Sequence, residues 1–183
     1  MKRFLRRHLA LLAMLGLVGL VALANGRTPE RLGDGLQIAL PLAGFGCAVA
    51  GGGTGRYALR FLLLEAGIHI PKAALGEVEV NRRPDDGRGG FPSGHTAAAS
   101  FGAAGLLRSC LAQSPAAQGV AVLAVGVTGG SRIVAGKHTI WQVLAGVIWG
   151  WLAQILGLGA LDRGAARLAR ALRRRLSGNG GAG

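Results

Sequence analysis

Six apolar segments separated by short polar stretches limit the folds that this chain can adopt. They occupy residues 9–24, 36–55, 57–71, 96–113, 119–134 and 140–161. A helix needs about 20 residues to cross the hydrocarbon core of a bilayer, and most of the segments approach that length. Gly, Ala, Ser and Thr fill much of them, and such small residues let membrane helices pack closely. The pattern predicts an all-α transmembrane helical bundle with six spans.

The distribution of charge predicts how this bundle is oriented. The chain has 21 basic and 8 acidic residues and a net charge of +13, and ten of the basic residues lie near its two ends. Basic residues flank membrane spans on the cytoplasmic side. We therefore expect a multi-pass protein of the cytoplasmic (inner) membrane, with both termini in the cytoplasm. Residues 72–94 and 135–139 then face the periplasm or exterior.

Three regions follow from this reading. Residues 1–8 form a basic tail, residues 9–161 a membrane domain, and residues 162–183 a basic amphipathic and Gly-rich tail. The first span also resembles a cleavable signal peptide, which would leave five spans. Its length and the short loop after it favour a retained anchor.

Composition excludes some functions and leaves the cysteines without a special role. There is no signature of a nucleic-acid-binding domain, so no nucleic-acid partner is expected. Cys47 and Cys110 both lie in apolar runs, which predicts two buried free thiols rather than a disulfide or a metal pair.

A Pro-Ser-Gly-His tetrapeptide at residues 92–95 stands directly before the Ala-rich fourth segment. The backbone N–H groups at the start of a helix bind anions. Ser93 adds a hydroxyl donor, and Gly94 lets a ligand approach the backbone. His95 can act as a general acid or base near neutral pH.

Two arginines and a second histidine are expected at the same outer face. Arg83 lies in the segment 72–94, Arg132 at the outer end of the fifth span, and His138 in the loop 135–139. Arg83 and Arg132 carry planar, permanently charged groups that suit phosphate. An arginine at the end of a membrane span, as Arg132 is, marks a functional site by default. An imidazole can attack phosphorus and form a covalent intermediate, which makes His138 the candidate nucleophile.

Together these motifs resemble the type 2 phosphatidic acid phosphatase superfamily of integral membrane lipid phosphatases. The resemblance rests on Arg83-Pro84, on residues 92–95, and on Ser131-Arg132 followed by His138. It implies that His138 forms a phosphohistidine and that His95 protonates the leaving oxygen. It also implies that Arg83, Arg132, Ser93 and the Gly94 N–H hold the phosphoryl oxygens, without a metal or other cofactor.

The chain departs from the family pattern at two positions. Gly76 stands where the family has a lysine, and Lys72 can replace that lysine only if residues 76–80 form an insertion. Gln142 stands where the family has an aspartate, four residues after the nucleophile. A Gln oxygen can fix the tautomer of His138, but it cannot stabilise an imidazolium as a carboxylate does. The enzyme could therefore be slow, borrow another carboxylate, or be inactive.

Other charged side chains near these motifs have open roles. Glu65, His69 and Lys72 share one face of the third segment, so Glu65 is either a borrowed carboxylate or half of a structural pair with Arg60 or His69. Asp85 and Asp86 are expected to be solvated in a loop. Lys137 either adds positive charge for phosphate or lies at the membrane interface.

The function that these residues predict is a lipid phosphate phosphohydrolase at the outer membrane face. Phosphatidic acid or an isoprenyl pyrophosphate is the expected class of substrate, and membrane lipids are the expected surroundings. Two alternatives remain: a lipid phosphotransferase that uses the same site, and a degenerate phosphate-binding membrane protein. The length and the apolar spans exclude a soluble haloperoxidase-like enzyme.

Overall fold

A computed structural model describes residues 2–26 and 28–156, together with residues 163, 164 and 167. In this part of the chain there are six α-helices, one short 3₁₀ helix (Glu79–Asn81) and no strand. The α-helices are α1 (Lys2–Asn25), α2 (Pro29–Ala50), α3 (Thr54–Leu75), α4 (Gly94–Arg108), α5 (Pro115–Val134) and α6 (Ile140–Ile155). The prediction of an all-α helical bundle is confirmed.

Three of these helices, α1, α2 and α5, are long and apolar enough to cross a membrane. The helix α6 is apolar but shorter. The amphipathic tail predicted after residue 162 lies outside the residues that the structure describes, apart from residues 163, 164 and 167.

Small residues bring the backbone of α4 into direct contact with its neighbours. A Cβ at Gly102 would overlap the backbone of Leu40 in α2, and one at Gly150 would overlap the backbone carbonyl of Ala97. Such close approach is available only to glycine. The helix α4 is therefore held between α2 and α6, and Phe101 at its centre is fully buried.

Five of the six helices begin before the apolar segments that predict them, and α2 and α5 show the reason. The helix α2 starts at Pro29 with Thr28 as its N-cap, whose side chain accepts a hydrogen bond from the Arg31 N–H. A threonine cap followed by proline at the first helical position is a helix start signal. Residues expected to link the first two spans are thus helical, and Asp34 lies inside α2. In the same way α5 starts at Pro115, within a stretch predicted to be a loop.

The prediction of two free thiols is wrong. Cys47 and Cys110 form a disulfide, with their Cα atoms 5.9 Å apart. Cys47 lies near the end of α2 and Cys110 just after α4, and the close packing of these two helices brings the thiols together. The predicted burial is wrong as well, since Cys47 is half-buried and Cys110 is exposed. Hydropathy carries no information on the neighbour of a cysteine across the bundle.

Three connections, α1–α2, α3–α4 and α5–α6, lie at the end of the bundle that holds the motif residues. At that end α2, α4 and α6 begin, whereas α1, α3 and α5 finish. The long segment between α3 and α4 returns over this end, and the loop between α5 and α6 lies beside it. The disulfide lies at the opposite end.

Candidate active site

The imidazole of His138 is buried and fixed by a hydrogen bond to Gln142. His138 is 4% exposed, and its Nδ1 lies 3.2 Å from Oε1 of Gln142. An amide oxygen can only accept, so Nδ1 of His138 is the donor. The other ring nitrogen, Nε2, then carries the lone pair.

The orientation of the Gln142 amide is determined by its other partners. Its Nε2 donates to the carbonyl oxygens of Val80 (3.0 Å) and Arg82 (2.8 Å). Its Oε1 also accepts from the Thr139 N–H at 3.1 Å, while Thr139 Oγ1 accepts from the Gln142 N–H. This is a capping box at the start of α6. Gln142 therefore joins the α6 cap, His138 and the segment that carries Arg83.

The surroundings of His138 favour its neutral form. Burial, together with the positive charges of Arg83 and Lys72, lowers the pKa of His138 to about 4, against the opposing effects of hydrogen bonds to Gln142 and to the backbone of Gly90. A neutral imidazole is the nucleophilic form. A pKa of about 4 leaves the imidazole of His138 neutral at physiological pH.

The start of α4 lies beside this histidine and has the features predicted for an anion site. The helix begins at Gly94, and no side chain caps its first N–H groups. A Cβ placed on Gly94 would lie 3.6 Å from the Lys72 Nζ, so this lysine reaches the same place from the last turn of α3. Ser93 is fully buried, and its hydroxyl lies 3.0 Å from Thr96 Oγ1. The predicted contact of the Ser93 hydroxyl with phosphate remains a prediction.

Arg83 lies in the segment that returns over the site. One of its terminal nitrogens donates to the Gly89 carbonyl at 3.4 Å. Its Nε is buried without a hydrogen-bond partner among the described residues. A buried guanidinium N–H without an acceptor is costly, and a bound anion would supply one.

Arg132 and His95 share a carboxylate that sequence reasoning did not identify. Asp34 Oδ1 lies 3.0 Å from Arg132 NH1 and 3.1 Å from His95 Nε2. The guanidinium also donates to the Glu30 carbonyl at 2.7 Å, and its side chain is 4% exposed. Gly33 permits this contact, because a Cβ there would overlap the Ser131 hydroxyl.

Asn81 is a second residue whose role the sequence did not reveal. It is 1% exposed, and its Nδ2 donates to the carbonyls of Lys72 (3.1 Å) and Gly76 (2.7 Å). Its Oδ1 accepts from the Phe91 N–H at 3.1 Å. Asn81 therefore ties the end of α3 to the start of the Pro-Ser-Gly-His turn. The 3₁₀ helix and the turn before it occupy the place where the predicted role of Lys72 needs an insertion, and that insertion remains a prediction.

The remaining charged residues form pairs around the site. Glu65 pairs with His69 at 3.3 Å on the exposed side of α3, which agrees with the structural alternative for that carboxylate. Lys137 pairs with Asp85 at 3.0 Å, so Asp85 is not simply solvated. This pair fastens the Arg83 segment to the loop that carries His138, and it lowers the pKa of Asp85.

The sequence contains a signal for the capping box at the start of α6. Thr139 followed three residues later by Gln142 has the spacing of a capping box, which explains glutamine at this position. Asp34 offered no comparable signal, since it lies 61 residues from His95 along the chain.

Comparison with known proteins agrees with this geometry. A model of the PAP2 superfamily matches residues 40–162. The searches of curated proteins and of solved structures gave no match. The matched region holds the Pro-Ser-Gly-His turn, both arginines and both histidines of the site. The chain therefore belongs to the PAP2 superfamily, whose members are phosphatases that act on phosphorylated substrates.

Proposed function

We propose that this protein is a membrane lipid phosphate phosphohydrolase that works through a phosphohistidine on His138. The observation that carries the proposal is the fixed imidazole of His138, held by Gln142 with its Nε2 lone pair available. The cations Arg83 and Lys72 lie close enough to shift its pKa. Phosphate release by purified protein and by its His138→Ala variant, from phosphatidic acid and from isoprenyl pyrophosphate, tests the proposal.

The reaction divides into two displacements at phosphorus. Nε2 of His138 attacks the phosphoryl group, the bond to the leaving oxygen breaks, and His95 gives that oxygen a proton. Water then attacks the phosphohistidine, His95 takes the proton from the water, and inorganic phosphate leaves. Arg83, Lys72, Arg132 and the N–H groups at the start of α4 stabilise the charge on the transferring group.

Asp34 gives His95 the support that this role requires. In the imidazolium form, one ring N–H remains on the Asp34 carboxylate and the other can be transferred to the leaving oxygen. The same carboxylate holds Arg132 in place. Asp34 is a positioning residue in this scheme, since it acts through His95 and Arg132.

Replacing Asp34 by asparagine is expected to change the pH dependence of turnover. Without the carboxylate less His95 is protonated at neutral pH, so the alkaline limb of the kcat profile should move to lower pH. The rate at neutral pH should fall roughly tenfold. The acid limb should stay near pH 4, because it follows His138, whose pKa is about 4. A uniform loss of rate with both limbs in place would reduce Asp34 to a structural role.

A lipid substrate is supported by the apolar surface that adjoins the site. A cavity of about 440 Å³ between α3 and α6 is lined by apolar side chains that include Ile148, Trp149 and Leu152. Phe91 and Pro92 line it as well, and they directly precede Ser93. An acyl or isoprenyl chain in this cavity would leave its phosphate at the start of α4.

We propose the inner membrane as the location, with the site facing the periplasm or exterior and both termini in the cytoplasm. The basic ends of the chain support this orientation. The disulfide favours the reverse, because disulfides persist in oxidising compartments and this one lies at the other end of the bundle.

Labelling decides between the two orientations. Arg88 lies at the catalytic end, and its side chain is 81% exposed. In an Arg88→Cys variant, a membrane-impermeant maleimide should label intact cells. Labelling only after the cells are opened would reverse the orientation. The labelled protein also carries Cys47→Ser and Cys110→Ser, so that no native thiol at the opposite end is labelled when the cells are opened.

A further inference from the structure

A second cavity, of about 280 Å³, lies at the end of the bundle opposite the catalytic site. Arg56 and Arg60 of α3 and Arg108 at the end of α4 line it. No acidic residue of the described chain lines it. Cations clustered around one cavity provide a local field that favours an anion.

The backbone and a buried side chain add donors to this cavity. The N-cap of α3, Gly53, lines the cavity and makes no side-chain capping bond, so the positive end of a 22-residue helix faces it. Gln154 also lines the cavity and is 3% exposed, and its Nε2 is buried without a hydrogen-bond partner among the residues that the structure describes. Arg108 donates to the backbone carbonyl of Gln154 at 2.6 Å, which fixes that arginine beside the amide.

An apolar groove continues from this cavity along the outside of the bundle. It has a volume of about 490 Å³ and lies between α2 and α3, with Leu42, Phe45 and Phe61 among its walls. Tyr57 lines both the groove and the cationic cavity. Leu42 is 62% exposed, as expected for a surface in contact with lipid. A free anion would occupy only the cationic cavity, whereas a lipid would fill the cavity with its headgroup and the groove with an acyl chain.

We propose that this cavity and groove bind an anionic phospholipid of the leaflet opposite the catalytic site, with its phosphate between Arg56, Arg60 and Arg108 and one acyl chain along α2 and α3. The bound lipid is not a substrate, since none of the catalytic histidines lies at this end. Binding requires no turnover, so the proposal stands or falls separately from the phosphatase function.

Native mass spectrometry of the purified protein with phosphatidylglycerol measures this binding directly. The Arg56→Gln/Arg60→Gln variant is expected to bind the lipid at least about tenfold more weakly, since each arginine near an anionic headgroup contributes on the order of 1 kcal/mol. Arg7→Gln is the matched control. It removes an exposed cation from the same end of the bundle but outside the cavity, and it should leave the affinity unchanged. An equal loss in both variants would overturn the site.

A substitution that narrows the cavity without changing its charge gives an independent test of lipid binding. A Cβ on Gly105 would lie 2.7 Å from the Gln154 Nε2 and 3.2 Å from the Tyr57 ring, so Gly105→Ala narrows the cavity. Gly46→Ala is its control, because a Cβ there meets nothing within 4 Å. The first variant should weaken lipid binding and the second should not. Unchanged binding in Gly105→Ala would contradict the proposal.

Two further ligands test whether the site recognises an anionic headgroup and whether it needs a lipid chain. Phosphatidylcholine, which has a phosphate but no net charge, should bind more weakly than phosphatidylglycerol. Inorganic phosphate at millimolar concentration should displace little of the lipid. Equal binding of the two lipids would remove the case for an anion site, and full displacement by phosphate would show that the ligand is a free anion.

Discussion

Replacing His138 by alanine is expected to abolish phosphate release, with a loss of roughly 10⁴-fold or more in kcat. The nucleophile is then missing, and neither Arg83 nor the start of α4 can replace a covalent intermediate. Purified protein incubated with ³²P-labelled lipid phosphate should carry an acid-labile, alkali-stable label, as expected for phosphohistidine, and the variant should carry none.

His69→Ala is the control for this variant. His69 is an exposed histidine on α3 that pairs with Glu65, so its loss should change neither turnover nor labelling. Equal rates of phosphate release in the native protein and in His138→Ala would exclude the proposed mechanism. Label retained in that variant would assign the intermediate to another residue.

Changing Gln142 to aspartate, the residue that the family pattern has at this position, is expected to reduce activity. The shorter side chain cannot donate to the carbonyls of Val80 and Arg82, which its amide reaches at 3.0 and 2.8 Å. Two buried acceptors lose their donors, at a cost of roughly 1–3 kcal/mol each. We expect a lower Tm and a loss of about 10²-fold in kcat, since the imidazole loses its fixed orientation.

The variant Gln142→Glu separates the effect of a negative charge from the effect of a shorter side chain. The carboxylate keeps the reach of the amide but turns an oxygen toward each of the same carbonyls, so this variant should be destabilised as well. Gln118→Glu is the matched control, because Gln118 donates to a single carbonyl, that of Leu111, away from the site. A large gain in turnover with aspartate at 142 would show a degenerate site that lacks only its carboxylate.

The helical bundle was predictable from sequence because each membrane span needs a long run of apolar residues, and hydropathy detects such runs. Each apolar segment corresponds to one helix. The boundaries were less accurate, since polar residues at the start of α2 hid a helix that Thr28 and Pro29 mark by their chemistry. The Thr28-Pro29 start signal, unlike the hydropathy, places Asp34 inside α2.

The site was predictable only where its residues are neighbours in sequence. His138 and Gln142 lie one helical turn apart, so their contact follows from spacing. Asp34 meets His95 and Arg132 because Gly33 lets α2 approach α5 closely. Such a contact between distant segments depends on how the helices pack, and a single sequence does not record it. The same reason applies to the disulfide.

The glycines that bring α4 against α2 and α6 also determine which helix of the bundle can be displaced. Helices in backbone contact cannot slide past one another without losing that contact, so the helix that carries His95 is a fixed frame. The contacts that the described glycines of α3 make with other helices are with side chains, such as Gly67 with Trp149. Entry and exit of a lipid chain would thus be accommodated by displacement of α3, while the catalytic distances stay constant.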